Sequence, residues 1–281
     1  MHDEFLSTVT QAPISYSVYS ALSFFGRRQG GELPGLWFVR AFGILGHAPA
    51  AVRQALFRMV RAGQLQTRRS GRTKYYRLTP WAQAEADAGL ARIIGPRPER
   101  WDGRWTLLLA RFESGEREQR ELLSELLQSE GFAPLGGGAY IHPRDRAGRV
   151  IQAAAEAGMQ SRLMVVRGER QGGIADAEFV TAHWDLAKLA REYRQFLIRF
   201  GPWATTLPAD DRRIFVVRFA LVFTYLEPAW RDPELPAALL PDDWPGEQAR
   251  ELAGSLYRRL MPGALRFAKS LLPVPASEAA R

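Results

Sequence analysis

Residues 48–78 read APAAVRQALFRMVRAGQLQTRRSGRTKYYRL, a helix signal followed at once by a hairpin signal. Pro49 suits a first helical turn, where its missing N–H costs nothing, and Gly63 suits the position just past a helix end. Between them Val52, Leu56, Met59 and Val60 fall at i, i+4, i+7 and i+8 and form one apolar stripe. Ala50, Gln54, Arg58 and Arg61 point the opposite way, with Arg53 and Phe57 on the flank. From Gln64 to Leu78 the pattern is that of a hairpin with Ser70-Gly71 at the turn, glycine taking a positive φ at no steric cost. That turn pairs Arg69 with Arg72 and Leu65 with Tyr76, and puts Arg68, Arg69, Arg72 and Lys74 at the tip.

Between Glu32 and Glu85 there is no acid, but there are nine cations: Arg40, Arg53, Arg58, Arg61, Arg68, Arg69, Arg72, Lys74 and Arg77. The whole chain carries a net +8, so the remainder is close to neutral. A solvated basic face is the ordinary reading of such a run. The helix and hairpin geometry argues instead for a surface that takes a polyanion. In a DNA major groove Gln pairs bidentately with adenine and Arg with guanine. Gln54 and Arg58 are therefore the candidate base readers, with Arg53 and Arg61 at the groove edges. Arg68, Arg69, Arg72, Lys74 and Arg77 are the candidate backbone-gripping cations, since like charges crowded on one hairpin need an outside anion. Helix, glycine, then a basic hairpin is the winged helix-turn-helix pattern.

Upstream, Ser15 to Arg28 reads as a first helix with Ser15 as N-cap and Val18, Ala21, Leu22 and Phe25 inward. Leu36 to Leu45 reads as a second, with Leu36, Val39, Ala41, Phe42 and Leu45 mostly inward. Met1 to Pro13 is expected to fray. Downstream, a helix over Trp81 to Ile94 ends at the linker Gly95-Pro96-Arg97-Pro98. The next segment predicts a β-α-β-β-α-β order: Arg104–Phe112, Glu116–Ser129, Phe132–Leu135, Ala139–His142, Arg146–Ala157 and Arg162–Arg167. That order suits a ferredoxin-like α/β sandwich, whose edge strands make it the candidate dimerisation domain. From Asp176 the chain reads as helical: Ala177 to Phe200, Asp210 to Leu226 and Glu247 to Leu260, with a Pro-rich stretch over Glu227 to Gly246 and fraying after Ala276. The expected fold is thus α+β and multidomain, divided at 1–95, 96–172 and 173–281.

Composition narrows the function. At 281 residues, two or three compact domains are expected. The chain has no cysteine, which excludes disulfides, thiolate nucleophiles and Cys-based metal sites and fits a reducing cytoplasm. The amino terminus lacks the pattern of a signal peptide. The longest apolar run, Ile214 to Leu226, is interrupted by Arg218 and is too short to span a bilayer, so no membrane partner is expected.

Three stretches together resemble the PaaX family of bacterial transcriptional regulators: AVRQALFRMVRAGQLQTRRSGRTKYYRLT (Ala51 to Thr79), WDGRW (Trp101 to Trp105) and RDPELPAALLPDDWPGEQARELAGSLY (Arg231 to Tyr257). Their order and spacing match over nearly the whole chain, and the third stretch is the most specific. The resemblance implies a winged-helix DNA-binding domain, a middle domain similar to the Cas2 fold and a helical carboxyl-terminal domain. It also implies a repressor of aromatic, phenylacetate-type catabolism genes that releases DNA on binding an aryl-CoA thioester such as phenylacetyl-CoA. A double-stranded, palindromic operator and a homodimer follow from the same expectation. Cas2 nucleases carry an Asp near the end of the first strand of this sandwich, whereas this chain has Leu109-Ala110-Arg111-Phe112. The resemblance therefore supports use as a scaffold, not metal-dependent cleavage.

No catalytic constellation competes with this reading. His2, His47, His142 and His183 include no pair at helical zinc-ligand spacing, so no metal or cofactor is expected. His47 is either a phosphate contact or a polar turn residue. Gly136-Gly137-Gly138 lacks the Lys-Ser/Thr of a phosphate loop and reads as a hairpin turn. Asp210-Asp211 stands at a helix start, where negative charge is favoured. His183, Trp184, Arg191, Tyr193, Arg194 and Trp203 are candidates to line an effector pocket, the arginines meeting CoA phosphates. Aromatic residues at such spacing equally suit a core. Two other functions remain as alternatives: an architectural nucleic-acid binder without effector, and an enzyme acting on CoA thioesters with an appended basic domain.

Overall fold

The computed structural model describes residues 2–96, 100–113 and 115–273. In chain order these form α1 (His2–Gln11), α2 (Ile14–Phe24), β1 (Leu33–Pro34), α3 (Gly35–Ile44), α4 (Pro49–Arg61), β2 (Leu65–Ser70), β3 (Thr73–Leu78) and α5 (Pro80–Ile94). There follow β4 (Trp105–Ala110), α6 (Arg117–Ser129), β5 (Ala133–Gly136), β6 (Ala139–His142), α7 (Ala147–Glu156) and β7 (Leu163–Gly168). The rest is helical: α8 (Asp176–His183), α9 (Leu186–Phe200), α10 (Asp211–Ala229) and α11 (Gly246–Ser270). Two compact units result. The first comprises residues 1–95, 193–227 and 247–281, and the second 96–192 and 228–246. Residues 173–281 are thus shared between the units.

In the first unit, a three-stranded antiparallel sheet of order β1-β3-β2 lies beside the helices. The short strand β1 pairs Leu33 with Tyr76 and had no sequence signal. Ala41, Phe42 and Leu45 of α3 and its end are buried as expected, but Leu36 points to solvent and Trp37 and Phe38 are buried beside them. Trp37 is central. Its ring stacks on Phe25 at 5.5 Å, and its Nε1 donates to the Ala268 carbonyl at 2.8 Å. Helix α10 supplies Phe215 and Phe219 to the same aromatic core, Phe219 lying 5.9 Å from Phe24 and 6.3 Å from Phe42. Arg218 of α10 is 1% exposed. Its guanidinium sits 3.7 Å from the Phe24 ring centre and 4.7 Å from that of Tyr257, and Nη1 donates to Ser20 Oγ at 3.2 Å. Aromatic faces therefore take the place of a carboxylate, and burial lowers the guanidinium pKa.

Several expectations are corrected here. Residues 2–11 are helical, because Phe5, Val9 and Ala12 share one stripe and are buried, Phe5 against Phe200 and Trp203. Pro13, not Ser15, stands at the N-cap of α2. The β2–β3 turn is Gly71-Arg72, so Ser70 faces Thr73, Arg69 faces Lys74 and Leu65 faces Leu78. This shifts the pairing by two residues and keeps every side chain on its expected face. Helix α11 runs past Leu260 to Ser270 with Pro262 inside it. The buried stripe Ala249, Ala253, Leu256, Leu260, Ala264 and Ala268 continues on both sides of the proline and outweighs one lost backbone bond.

The second unit contains a four-stranded antiparallel sheet of order β5-β6-β4-β7, built from the expected β-α-β-β-α-β sequence. One face packs Leu108 and Tyr140 against Leu123 and Leu127 of α6 and Val150 of α7. The other packs Trp105, Ala133 and Ile141 against Val180, Leu186, Leu235 and Leu239. The helix expected over 177–200 is broken: Trp184 is extended, and Asp185 Oδ1 accepts from the Lys188 backbone N–H at 3.1 Å to start α9. His142 is fully buried, with Nδ1 accepting from the Arg144 N–H at 3.0 Å and Nε2 facing the Pro233 carbonyl at 3.1 Å. Arg144 reaches the Glu234 carbonyl at 3.2 Å, and Arg146 pairs with the Glu234 carboxylate. Glu234 is the one described non-glycine residue at positive φ. Arg97 and Pro98 of the expected linker, and the residues after Ala276, lie outside the described residues.

Candidate nucleic-acid interface

Helix α4 presents two faces. Val52, Ala55, Leu56 and Met59 are buried, with Val60 partly so. Ala50, Arg53, Gln54, Phe57, Arg58 and Arg61 are all exposed. The candidate base readers Gln54 and Arg58 and the groove-edge candidates Arg53 and Arg61 therefore stand on one solvent face. Ala55 was missing from the expected stripe because alanine carries little periodic signal. At the helix end Ala62 and Gly63, the latter at φ 69°, turn the chain into β2. Thr79 fastens the far end of the hairpin: its Oγ1 donates to the Gly63 carbonyl at 2.9 Å and accepts from the Ala82 N–H at 3.3 Å, capping α5.

The hairpin is anchored at its base and basic along its length. Leu65 and Leu78 are buried, and the Tyr76 ring meets Phe38 of α3 edge-on at 6.0 Å. Desolvation raises the Tyr76 pKa, so the phenol is neutral. Arg69 and Arg72 are exposed. Lys74 lies 5.2 Å over the Tyr76 ring, and Arg77 Nε donates to Gln66 Oε1 at 3.0 Å. Arg68 lies 4.9 Å over Tyr75 and forms an ion pair with Glu32. This corrects the expectation of four unpartnered tip cations, since Glu32 is brought across by the β1–β3 pairing. Arg68 hydrogen bonding lowers the Glu32 pKa, and the same pairing raises that of Arg68. Arg40 is turned away from this surface and donates to the Leu271 carbonyl at 3.2 Å.

His47, at the turn before α4, is nearly buried. It is 9% exposed, its ring is 6.4 Å from that of Phe42, and desolvation lowers its pKa below the usual value. The pocket candidates fall into two groups. His183, Trp184 and Arg191 belong to the second unit, and Tyr193, Arg194 and Trp203 to the first. His183 stacks on Phe179 at 4.1 Å, and Trp184 Nε1 donates to the Gly131 carbonyl at 2.9 Å. Tyr193 and Trp203 are buried core residues, while Arg191 and Arg194 are exposed. Among the described residues, no group of three His, Asp or Glu side chains could hold a metal ion. No helix among the described residues is long and apolar enough to cross a membrane.

Comparison with known families covers the same ground. A model described as PaaX-like protein matches residues 17–82, the PaaX protein central Cas2-like domain matches 98–180, and the PaaX-like protein C-terminal domain matches 184–270. The chain belongs to the PaaX family. It is 28% identical over 248 residues to the transcriptional repressor PaaX of Escherichia coli (strain K12), covering 83% of this chain and 78% of that protein. Among solved structures it is similar to the uncharacterized protein Rv0674 from Mycobacterium tuberculosis, with a TM-score of 0.56, 25% identity, and 84% and 89% of the two chains covered. The central Cas2-like match coincides with the four-stranded sheet of the second unit.

Proposed function

We propose that this protein is a sequence-specific transcriptional regulator, a repressor, whose first unit binds operator DNA. In this reading α3, α4 and the β2–β3 hairpin form a winged helix-turn-helix. The exposed face of α4 enters the major groove, where Gln54 and Arg58 read bases between Arg53 and Arg61. The hairpin cations Arg69, Arg72, Lys74 and Arg77 follow the backbone, with Arg68 held in place by Glu32. One observation carries the proposal: eight of the nine cations of an acid-free run fold onto one solvent-exposed helix face and the hairpin beside it. The chain's similarity to a transcriptional repressor of Escherichia coli supports it.

The Cas2-like unit is the proposed dimerisation element, because a palindrome needs two reading heads held at a fixed spacing. An aryl-CoA thioester, phenylacetyl-CoA, is the proposed effector. It acts by binding one dimer geometry more tightly than the other. The stretch Leu109-Ala110-Arg111-Phe112 at the end of β4 and just beyond it holds no Asp of the kind a Cas2-type nuclease carries there, which favours the non-enzymatic reading.

The test is binding to the promoter region beside the protein's own gene, at fixed salt, with and without phenylacetyl-CoA. Specific binding released by the thioester, and not by free phenylacetate, is expected. Binding no tighter than to random duplex would overturn the regulator reading. Specific binding indifferent to the thioester would overturn the effector alone.

A further inference from the structure

Phe57 is an aromatic ring on the solvent face of α4. It is 60% exposed, although it sits in the middle of a helix whose inward positions are filled by Val52, Ala55, Leu56 and Met59. At about 100° per residue it projects about 20° from Ala50 and about 40° from both Arg53 and Arg61, on the Arg53 side of the exposed arc that runs from Arg53 to Arg58. Its neighbours one turn away are Arg53, Gln54 and Arg61, with Arg58 adjacent. The nearest acids in sequence are Glu32 and Glu85. An exposed ring on a helix face that also carries Arg53, Arg58 and Arg61 suits a partner that is anionic overall yet offers an apolar group between its charges. The major groove of DNA is such a surface, because each thymine places a C5-methyl among phosphates and polar base edges.

We infer that Phe57 is a specificity-determining residue that reads thymine C5-methyl groups, working beside Gln54 and Arg58. The inference rests on the DNA-binding reading above. Desolvating a methyl group against a ring favours thymine over every base edge that lacks it, with no hydrogen bond required. It also accounts for an aromatic residue left in water on a face otherwise built from Gln and Arg.

The experiment uses the full chain and the operator fragment, with each thymine in turn replaced by uracil. Pairing with adenine is unchanged, so each duplex differs only by one methyl group. The wild type should lose roughly threefold to fivefold in affinity at one or two positions in each half-site, the scale of one buried methyl. Phe57→Ala should bind the thymine operator more weakly and show no thymine-to-uracil difference at those same positions. Phe57→Leu, which keeps an apolar side chain, should retain part of the discrimination and guards against a folding defect in the alanine variant. The inference is overturned if the wild type binds every uracil duplex as tightly as the thymine operator. It is equally overturned if Phe57→Ala keeps the full ratio, as expected were the ring a docking point for another protein. Absence of any sequence-specific binding removes the regulator reading as well, so the two failures are distinguishable.

Discussion

On the proposed reading, neighbouring arginines of the basic surface do different work, and single substitutions separate them. Arg58, exposed on α4, should lose about 1–3 kcal/mol of binding on change to alanine, with specificity relaxed at one operator position. Arg69, on the hairpin, should weaken all sequences alike and reduce the salt slope by about 1. Parallel titrations against operator and random duplex at several salt concentrations measure both; identical behaviour would refute the division. Glu32 restrains Arg68, so Glu32→Gln should tighten binding to random duplex and steepen its salt dependence, because one more hairpin cation becomes available to phosphate. A loss of affinity would mean that Glu32 orients Arg68 for contact. The cations of this surface were legible in the sequence. The Glu32 partner was not, because its proximity depends on a two-residue strand, Leu33–Pro34, too short to leave a periodic pattern.

Helices and strands were legible where a repeating apolar period ran uninterrupted, as in α4, α6 and β4. They were misread where a tertiary partner overrode a local rule. Pro262 looks like a stop signal, yet α11 continues because its buried stripe does. Gly263 shows the same override: a Cβ there would lie 2.7 Å from Ile214 Cδ1 and 2.8 Å from Asp211 Oδ1. Glycine to alanine inside a helix ordinarily stabilises by about 1 kcal/mol. Here Gly263→Ala should not bring that gain, because Ile214 and Asp211 must give way to admit the Cβ, read as a urea midpoint no higher than that of the wild type. In the other unit, His142 on β6 is pushed down to about 4, from an ordinary 6.5, mainly by burial and then by the nearby charge of Arg146. The unfolded chain therefore binds the proton more tightly than the folded one. Stability contributed by neutral His142 is complete above pH 6.5 and falls as the pH drops from 6.5 towards 4, by on the order of 3 kcal/mol. Comparing wild type with His142→Gln by urea unfolding from pH 7 to pH 4 should show the variant losing that part of the slope.

Taken whole, the chain is not a string of beads. The first unit takes in residues from before residue 96, from 193–227 and from beyond 246. Three successive sequence patterns gave no hint of this, because burial of Trp37 against Phe215 and Ala268 is a long-range event with no local trace. A fragment ending at Gly95 should therefore lack a cooperative thermal transition, since the aromatic faces of Phe24, Trp37 and Phe42 that meet α10 and α11 would lie bare. A sharp two-state melt from that fragment would contradict the account. The dependence of α3 on α11 also bears on how the protein is made. During translation, α4 and the hairpin emerge long before the residues that close the core beneath them. The nascent chain must wait, with an apolar face uncovered, until Ala268 has left the ribosome. Products interrupted before that point would lack a finished scaffold for the basic surface, so, on the proposed function, incomplete copies would be poor rivals of the intact protein for the operator.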